Sequence, residues 1–177
     1  MKKALFTILA CGMLFAACEK DEETTPVTPT PSFEFKNQNL QGKIGGVDWQ
    51  FESGYSGIEQ IYDFDLQDFV DGFGFNFYNV ADTNLCDGVD PSTDYAFFVL
   101  NELKTGLIDF QDERSEQSAT LYDKSDTISI GAFFGAIEIL TVDTNNGVIT
   151  GRMDIREFPT SSSDNYLNGN FSVSYCN

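Results

Sequence analysis

The residues with the clearest capacity for chemistry are oxygen donors crowded into the stretch around Cys86. Five of them fall within 13 positions: Asp82, Asn84, Asp87, Asp90 and Asp94. Ca²⁺ takes about six to eight oxygen ligands, and a loop of this composition offers several of them. The order of an EF-hand loop is not followed, because the glycine and the distal glutamate are missing from the required offsets. We interpret this stretch as a solvated acidic loop, with a calcium site on these five residues as the alternative and no other cofactor.

Histidine is absent from the 177 residues, and its absence narrows the possible reactions. Histidine is the commonest general base and metal ligand, and it activates the nucleophile in Ser-His and Cys-His sites. An enzyme without it would need paired carboxylates, as in glycoside hydrolysis. Asp63 and Asp65 would lie about 7 Å apart on one strand face, but such pairs are expected by chance among 28 acidic residues. The sequence favours a non-enzymatic protein, with a carboxylate-based glycoside hydrolase as an alternative.

Cys18 follows a charged start, an apolar run and a pair of alanines. Lys2 and Lys3 precede the apolar residues 4–17, a run shorter than the roughly 18 residues that a spanning helix needs. The sequence Leu-Phe-Ala-Ala-Cys at residues 14–18 resembles the lipobox of bacterial lipoproteins. That resemblance implies that residues 1–17 are a cleaved signal peptide and that Cys18 carries the lipid.

Residues 18–32 form the predicted linker between the lipid and a folded domain at 33–177. The acidic stretch Glu-Lys-Asp-Glu-Glu at 19–23 resembles the signal that sends some Gram-negative lipoproteins to the outer face of the outer membrane. A plain solvated spacer is the alternative. Residues 24–31 hold three prolines and four threonines, so the linker should extend over about 40 Å. We predict an outer-membrane protein held by its lipid anchor, at the cell surface or alternatively on the periplasmic face.

The charge of the chain excludes one class of partner. Lysine and arginine number 10 against 28 aspartates and glutamates, a formal net charge of −18. Two of the lysines lie in the predicted signal peptide, so the mature protein is more acidic still. A surface of this sign repels phosphate backbones, and we predict no nucleic-acid partner.

The spacing of apolar residues indicates strands throughout residues 33–177, where period-two alternation recurs and no helical period is sustained. Gly45-Gly46 is typical of a hairpin turn, as is the stretch from Asp143 to Gly147. We also predict a strand at 62–66, a turn near Asp71-Gly72, and a core stripe of phenylalanines at 73, 75 and 77. Roughly eight to ten short strands predict an all-β domain, a single antiparallel β-sandwich or barrel.

The four cysteines divide into two groups. Cys11 lies in the predicted signal peptide and Cys18 takes the lipid, which leaves Cys86 and Cys176. Two remaining cysteines in an exported chain predict a disulfide between them, which would close a loop of about 90 residues. A reactive or metal-binding thiol is the alternative, although no histidine or third cysteine supports it.

Several strand segments together resemble a group of small bacterial lipoproteins to which no activity is assigned. The resemblance spans about residues 41–177 and lies in the Cys86 loop and in four short stretches: GKIGGVDWQF at 42–51, GAIEI at 135–139, VITG at 148–151 and LNGNFSVSYC at 167–176. It implies an all-β lipoprotein domain whose two late cysteines are bridged, and it implies no activity.

The predicted function is that of a surface-anchored binding or adhesion module. Its partner would be a glycan, a small ligand or an envelope protein, and a structural envelope lipoprotein without a ligand is the alternative. Tyrosines are candidates for a binding platform because a phenol tolerates partial exposure; the candidates are Tyr55, Tyr62, Tyr78, Tyr95 and Tyr122. An exposed aromatic cluster or a concave site would favour binding over a purely structural role.

Overall fold

The alternation of the sequence is realised as strands joined by turns. The computed structural model describes residues 33–63, 66–81, 86, 94–110, 119–124, 128–131, 133–157 and 164–176, and no α-helix occurs within them. No helix in these ranges is long and apolar enough to cross a membrane. The strands are β1 (Gln41–Ile44), β2 (Val47–Gln50), β3 (Ser53–Asp63), β4 (Asp68–Tyr78), β5 (Tyr95–Leu100), β6 (Gly106–Asp109), β7 (Ala119–Asp123), β8 (Ile128–Gly131), β9 (Phe133–Asp143), β10 (Val148–Glu157) and β11 (Tyr166–Tyr175).

All eleven strands belong to one sheet in the order β6-β9-β10-β11-β3-β4-β5-β7-β8, with β1 paired to both β11 and β2. The strand pairs are antiparallel except for β11 with β3. Within the described residues, the end strands β6 and β8 do not pair with each other, so the sheet is not closed. The prediction of an all-β, mainly antiparallel domain is confirmed. The barrel alternative is wrong, and the described strands number eleven rather than eight to ten.

Strand β11 is where the sheet divides. One of its edges pairs with β10 over nine residue pairs. The other edge is shared between β1, which pairs with residues 166–168, and β3, which pairs with Ser174 and Tyr175. The indole Nε1 of Trp49 on β2 donates to the Asp94 carbonyl oxygen before β5, at 3.2 Å, although β2 and β5 are not neighbours in the sheet. The two halves of the sheet therefore fold toward each other in a sandwich-like packing.

A single hydrophobic core lies between these halves and draws on both of them. Phe75 and Phe98 stack with ring centroids 4.4 Å apart, and Phe77 packs edge-on against Phe171 at 5.0 Å. The predicted phenylalanine stripe is confirmed as core, since Phe75 and Phe77 are fully buried and Phe73 packs partly buried against them.

The predicted disulfide is present between Cys86 and Cys176, whose Cα atoms are 5.5 Å apart. The Cys176 amide also donates to the Ser56 carbonyl oxygen at 2.8 Å, so the end of β11 is fastened to β3 by a hydrogen bond as well. The bridge lies where the two halves of the sheet meet through only two residue pairs. It reinforces the weakest strand junction in the sheet path.

Candidate functional site

A concave site of about 570 Å³ opens beside the β1–β2 hairpin. Three pieces of chain build it: the hairpin, the start of β11, and the segment before β1. The hairpin forms because Gly45 and Gly46 both take positive φ, at 61° and 75°, as a tight two-residue turn requires. The residues that line the site are Lys36, Gln38, Gln41, Gly42, Asp48, Trp49, Gln50 and Tyr166. We call this site the cleft.

The lining of the cleft is mostly polar and close to neutral. The antiparallel register places Gln41 directly opposite Gln50, so two amides lie side by side. Lys36 and Asp48 bring one charge of each sign to the lining. Amides and a phenol offer both donors and acceptors, which suits a ligand with many hydroxyl groups. Trp49 also lines the cleft but is only 3% exposed, because its ring belongs to the core.

Residues 33–38, which we call the strap, cross the outer side of β10 and β11 and bring Lys36 and Gln38 to the cleft. Asn168 holds the strap with both ends of its amide: Oδ1 accepts from the Lys36 amide at 2.9 Å, and Nδ2 donates to the Glu34 carbonyl oxygen at 2.8 Å. Asp154 accepts from the Glu34 amide at 2.8 Å. The strap is therefore attached by side chains rather than by a strand ladder.

Positive charge is concentrated near the strap in an otherwise acidic protein. The Arg152 guanidinium lies 4.5 Å from the centroid of the Phe35 ring, within cation–π range, and donates to Glu138 at 2.5 Å. Arg156 pairs with the buried carboxylate of Asp154 at 3.3 Å. Both arginines are therefore paired with acidic residues on this side of the sheet.

Four of the five predicted platform tyrosines form a row across neighbouring strands on the outer side of the other half of the sheet. Successive ring centroids are 6.2 Å apart for Tyr55 and Tyr78, 5.9 Å for Tyr78 and Tyr95, and 4.9 Å for Tyr95 and Tyr122. A sugar stacks on a free ring face, but each ring of this row lies against at least one neighbouring ring, and Tyr78 is only 5% exposed. The row therefore stabilises the sheet, and we do not assign it the ligand.

Burial raises the pKa of Tyr78, and the neighbouring Tyr55 adds to the effect through its charge and a side-chain hydrogen bond. Burial also raises the pKa of Tyr95. Below about pH 10 the folded and unfolded chains both keep the Tyr78 proton, but above it the unfolded chain loses that proton first. We therefore expect the free energy of unfolding to fall as the pH rises above about 10.

This expectation is checked by urea unfolding at a series of alkaline pH values, with Tyr78→Phe as the matched variant. Phenylalanine keeps the ring but has no proton to lose, so its alkaline loss of stability should be smaller. Equal slopes for the two proteins would contradict the assignment to Tyr78.

The fifth candidate, Tyr62, lies elsewhere, on a two-stranded extension of the sheet. We call residues 57–63 of β3 and 68–72 of β4 the arm, because the neighbouring β11 and β5 pair with these strands only outside it. Tyr62 packs edge-on against Phe69 at 5.4 Å. The arm and its turn expose large apolar side chains to between 44% and 67%; these are Ile58, Tyr62, Leu66 and Phe69. This is the second surface with the character of a binding site.

The predicted calcium loop falls mostly outside the described residues. Asp82, Asn84, Asp87 and Asp90 lie there, so the calcium site stays a prediction. Asp94 is described, and its Oδ1 accepts from the Lys124 amide at 3.0 Å. Within the described ranges, no group of three or more histidine, cysteine or acidic residues is arranged to hold a metal ion. Of the predicted carboxylate pair, Asp63 ends β3 and Asp65 lies outside the described residues.

Comparisons of the chain with protein-family models, with curated proteins and with solved structures find no match.

The residues of the cleft were not among those predicted from the sequence. A usable signal was present for two of them. In a hairpin centred between Gly45 and Gly46, positions 41 and 50 are symmetric, so the predicted turn already places Gln41 opposite Gln50. No comparable signal exists for Lys36, Gln38 and Tyr166, since they reach the cleft from distant segments.

Proposed function

We propose that this protein is a lipid-anchored, non-catalytic module of the bacterial outer membrane that binds a glycan in the cleft. The lipid would be carried by Cys18, with the cell surface as the location and the periplasmic face as the alternative. The observation that carries the proposal is the cleft itself, a concave site lined by paired glutamines, a tyrosine, one lysine and one aspartate.

The size and chemistry of the cleft support a polyhydroxylated ligand. Ligand sites typically enclose about 300–1,000 Å³, and the cleft, at about 570 Å³, falls within this range. Its lining offers hydrogen-bonding groups in excess of free apolar surface, which disfavours an apolar ligand. One positive and one negative side chain leave the lining near neutrality, which suits an uncharged glycan better than a strongly charged one.

The same lining argues for binding rather than hydrolysis. Both retaining and inverting glycoside hydrolases use two carboxyl groups, one on either side of the scissile bond. Asp48 is the one carboxylate among the residues that line the cleft. A structural lipoprotein without a ligand has no need of such a site, so the cleft also favours binding over that alternative.

A thermal-melt screen of residues 33–177 against soluble polysaccharides tests the proposal. A ligand present at about 100 times its dissociation constant should stabilise the fold by about 2.7 kcal/mol. In a domain of this size that is a rise of about 5–10 °C in Tm. The screen is run with calcium and with a chelator, so that a shift caused by calcium alone is recognised as evidence for the Asp82 to Asp94 loop.

The double variant Gln41→Ala/Gln50→Ala should weaken the binding of any hit by about 10- to 30-fold, because two ligand hydrogen bonds are lost. Ser172→Ala is the matched control, an exposed position on β11 away from the cleft. Equal affinity in the double variant would place the ligand elsewhere. If no polysaccharide raised Tm, the result would contradict glycan binding in the cleft and favour an envelope protein that binds at the arm.

A further inference from the structure

The strap is held by two polar side chains that are almost completely buried. Asp154 and Asn168 are each 2% exposed, and they lie directly opposite each other on β10 and β11. Buried polar groups need hydrogen-bond partners, and backbone groups of the strap supply three of them. These three hydrogen bonds fix where the docked strap lies, and lifting the strap would exchange them for hydrogen bonds to water.

The far end of the strap is fastened as closely as the near end. The Asn170 amide donates to the Gln38 carbonyl oxygen at 2.7 Å, and Gln38 Nε2 donates to the Asn168 carbonyl oxygen at 3.2 Å. Gly169 allows this approach, because a Cβ there would lie 2.6 Å from the Asn39 carbonyl oxygen and 2.8 Å from that of Gln38. Its φ of 142° is also one that other residues rarely adopt.

The strap nevertheless lacks the ladder that stabilises the strands beside it. Apart from the bridge between Asn39 and Asn170 at its end, no strand pairing is formed by the described residues before β1. Segments held by a few hydrogen bonds open at a lower free energy than the core strands do. The strap can therefore leave its position while the sheet stays folded.

We propose that the strap is a movable wall of the cleft, that Asn168 and Asp154 are the residues that position it, and that its docking is coupled to ligand binding. This inference rests on the proposed function. Lys36 and Gln38 line the cleft only when the strap is docked, so an undocked strap removes two of the lining side chains. By linkage, a ligand that binds the docked form must in turn hold the strap down.

The test is amide hydrogen exchange on the full-length protein in detergent. Three variants are compared with the unaltered chain. Asn168→Ala removes both amide contacts to the strap. Glu34→Pro removes the N–H that donates to Asp154, together with the Glu34 side chain, from a position outside the sheet. Ser172→Ala is the control on the same face of β11. Glu34→Pro keeps the proposal testable if Asn168→Ala fails to fold.

We expect the hydrogen-bonded amides of Glu34, Lys36 and Gln38 to be protected in the unaltered chain and in Ser172→Ala. The amides of Lys36 and Gln38 should exchange at least about tenfold faster in Asn168→Ala and in Glu34→Pro, where proline leaves no amide at position 34, while β9 to β11 stay protected. Fast exchange of these amides in the unaltered chain, or equal protection in all four proteins, would overturn the positioning role.

The ligand arm of the experiment uses maltohexaose, cellohexaose, laminarihexaose and mannohexaose. A hexaose that binds should slow exchange in the strap of the unaltered chain and bind Glu34→Pro about tenfold more weakly. Equal affinity for both proteins would overturn the coupling while leaving the proposed function intact. If none of the four hexaoses bound, the result would contradict both glycan binding and its coupling to the strap. The exchange comparison would still show whether Asn168 and Asp154 position the strap.

Discussion

Replacing Cys86 and Cys176 together by serine is expected to lower the free energy of unfolding by about 4 kcal/mol. The bridge joins residues 90 positions apart, so its removal frees a long loop in the unfolded chain. It also lies where β11 and β3 share only two residue pairs. Urea unfolding of residues 33–177 measures the loss, and Tm should fall by about 8–16 °C.

Reduction of the unaltered domain provides the control, because it breaks the same bond without changing a side chain. The reduced protein and the double serine variant should unfold at the same urea concentration. A thiol assay on the folded, unreduced domain should find neither cysteine reactive. Two reactive thiols, or a double variant as stable as the unaltered domain, would contradict the prediction.

Trp49→Ala is expected to cost a further large amount, about 3–5 kcal/mol, since it removes a buried aromatic side chain from the core. The indole is in contact with core residues, and its Nε1 donates to the Asp94 carbonyl oxygen at 3.2 Å. The same variant should abolish glycan binding in the cleft, because the hairpin that carries Gln41 and Gln50 loses its main anchor. Urea unfolding and the melt screen measure the two effects.

Trp49→Phe separates packing from the hydrogen bond. The smaller ring keeps much of the buried apolar surface but leaves the Asp94 carbonyl oxygen without this donor, a loss of about 1–3 kcal/mol. Since the chain contains one tryptophan, its fluorescence in the unaltered protein reports on this site alone. If Trp49→Ala were as stable as Trp49→Phe, the indole would not be the anchor that we describe.

The turns that the sequence predicted correctly are those whose residues determine the backbone by themselves. Gly45-Gly46 forms the β1–β2 hairpin, and the stretch from Asp143 to Gly147 joins β9 to β10. In the second turn the Asn146 amide and side chain both donate to the Asp143 carboxylate. These hydrogen bonds, the side-chain one foremost, lower the pKa of Asp143. Residues within the turn itself determine its backbone conformation, so the turn could be predicted without knowing any tertiary contact.

The prediction failed where a glycine serves packing instead of a turn. The sequence indicated a strand at 62–66 and a turn at Asp71-Gly72, but β3 ends at Asp63 and the turn lies at 66–67. Gly72 lies inside β4, where a Cβ would come within 2.9 Å of the Leu100 carbonyl oxygen. That neighbour is 28 positions away, so no local pattern distinguishes this glycine from one in a turn.

The part of the cleft that the strap builds could not be predicted from the sequence, for a related reason. Its strap depends on Asp154 and Asn168, which look like ordinary polar residues on the wet face of a strand. They are buried because residues 33–38 lie over them. Such a contact joins positions more than 100 residues apart, and no spacing rule anticipates it.

The arm has a consequence for how copies of this protein behave at high concentration. Strand edges that extend beyond a sheet and expose apolar side chains are templates for aggregation. Acidic residues line both strands of the arm: Glu59, Asp63, Asp68 and Asp71. Like charges on a second copy oppose edge-to-edge pairing, since each approach brings carboxylates together. The acidic residues of the arm thus oppose self-association at a surface whose exposed apolar side chains would otherwise favour it.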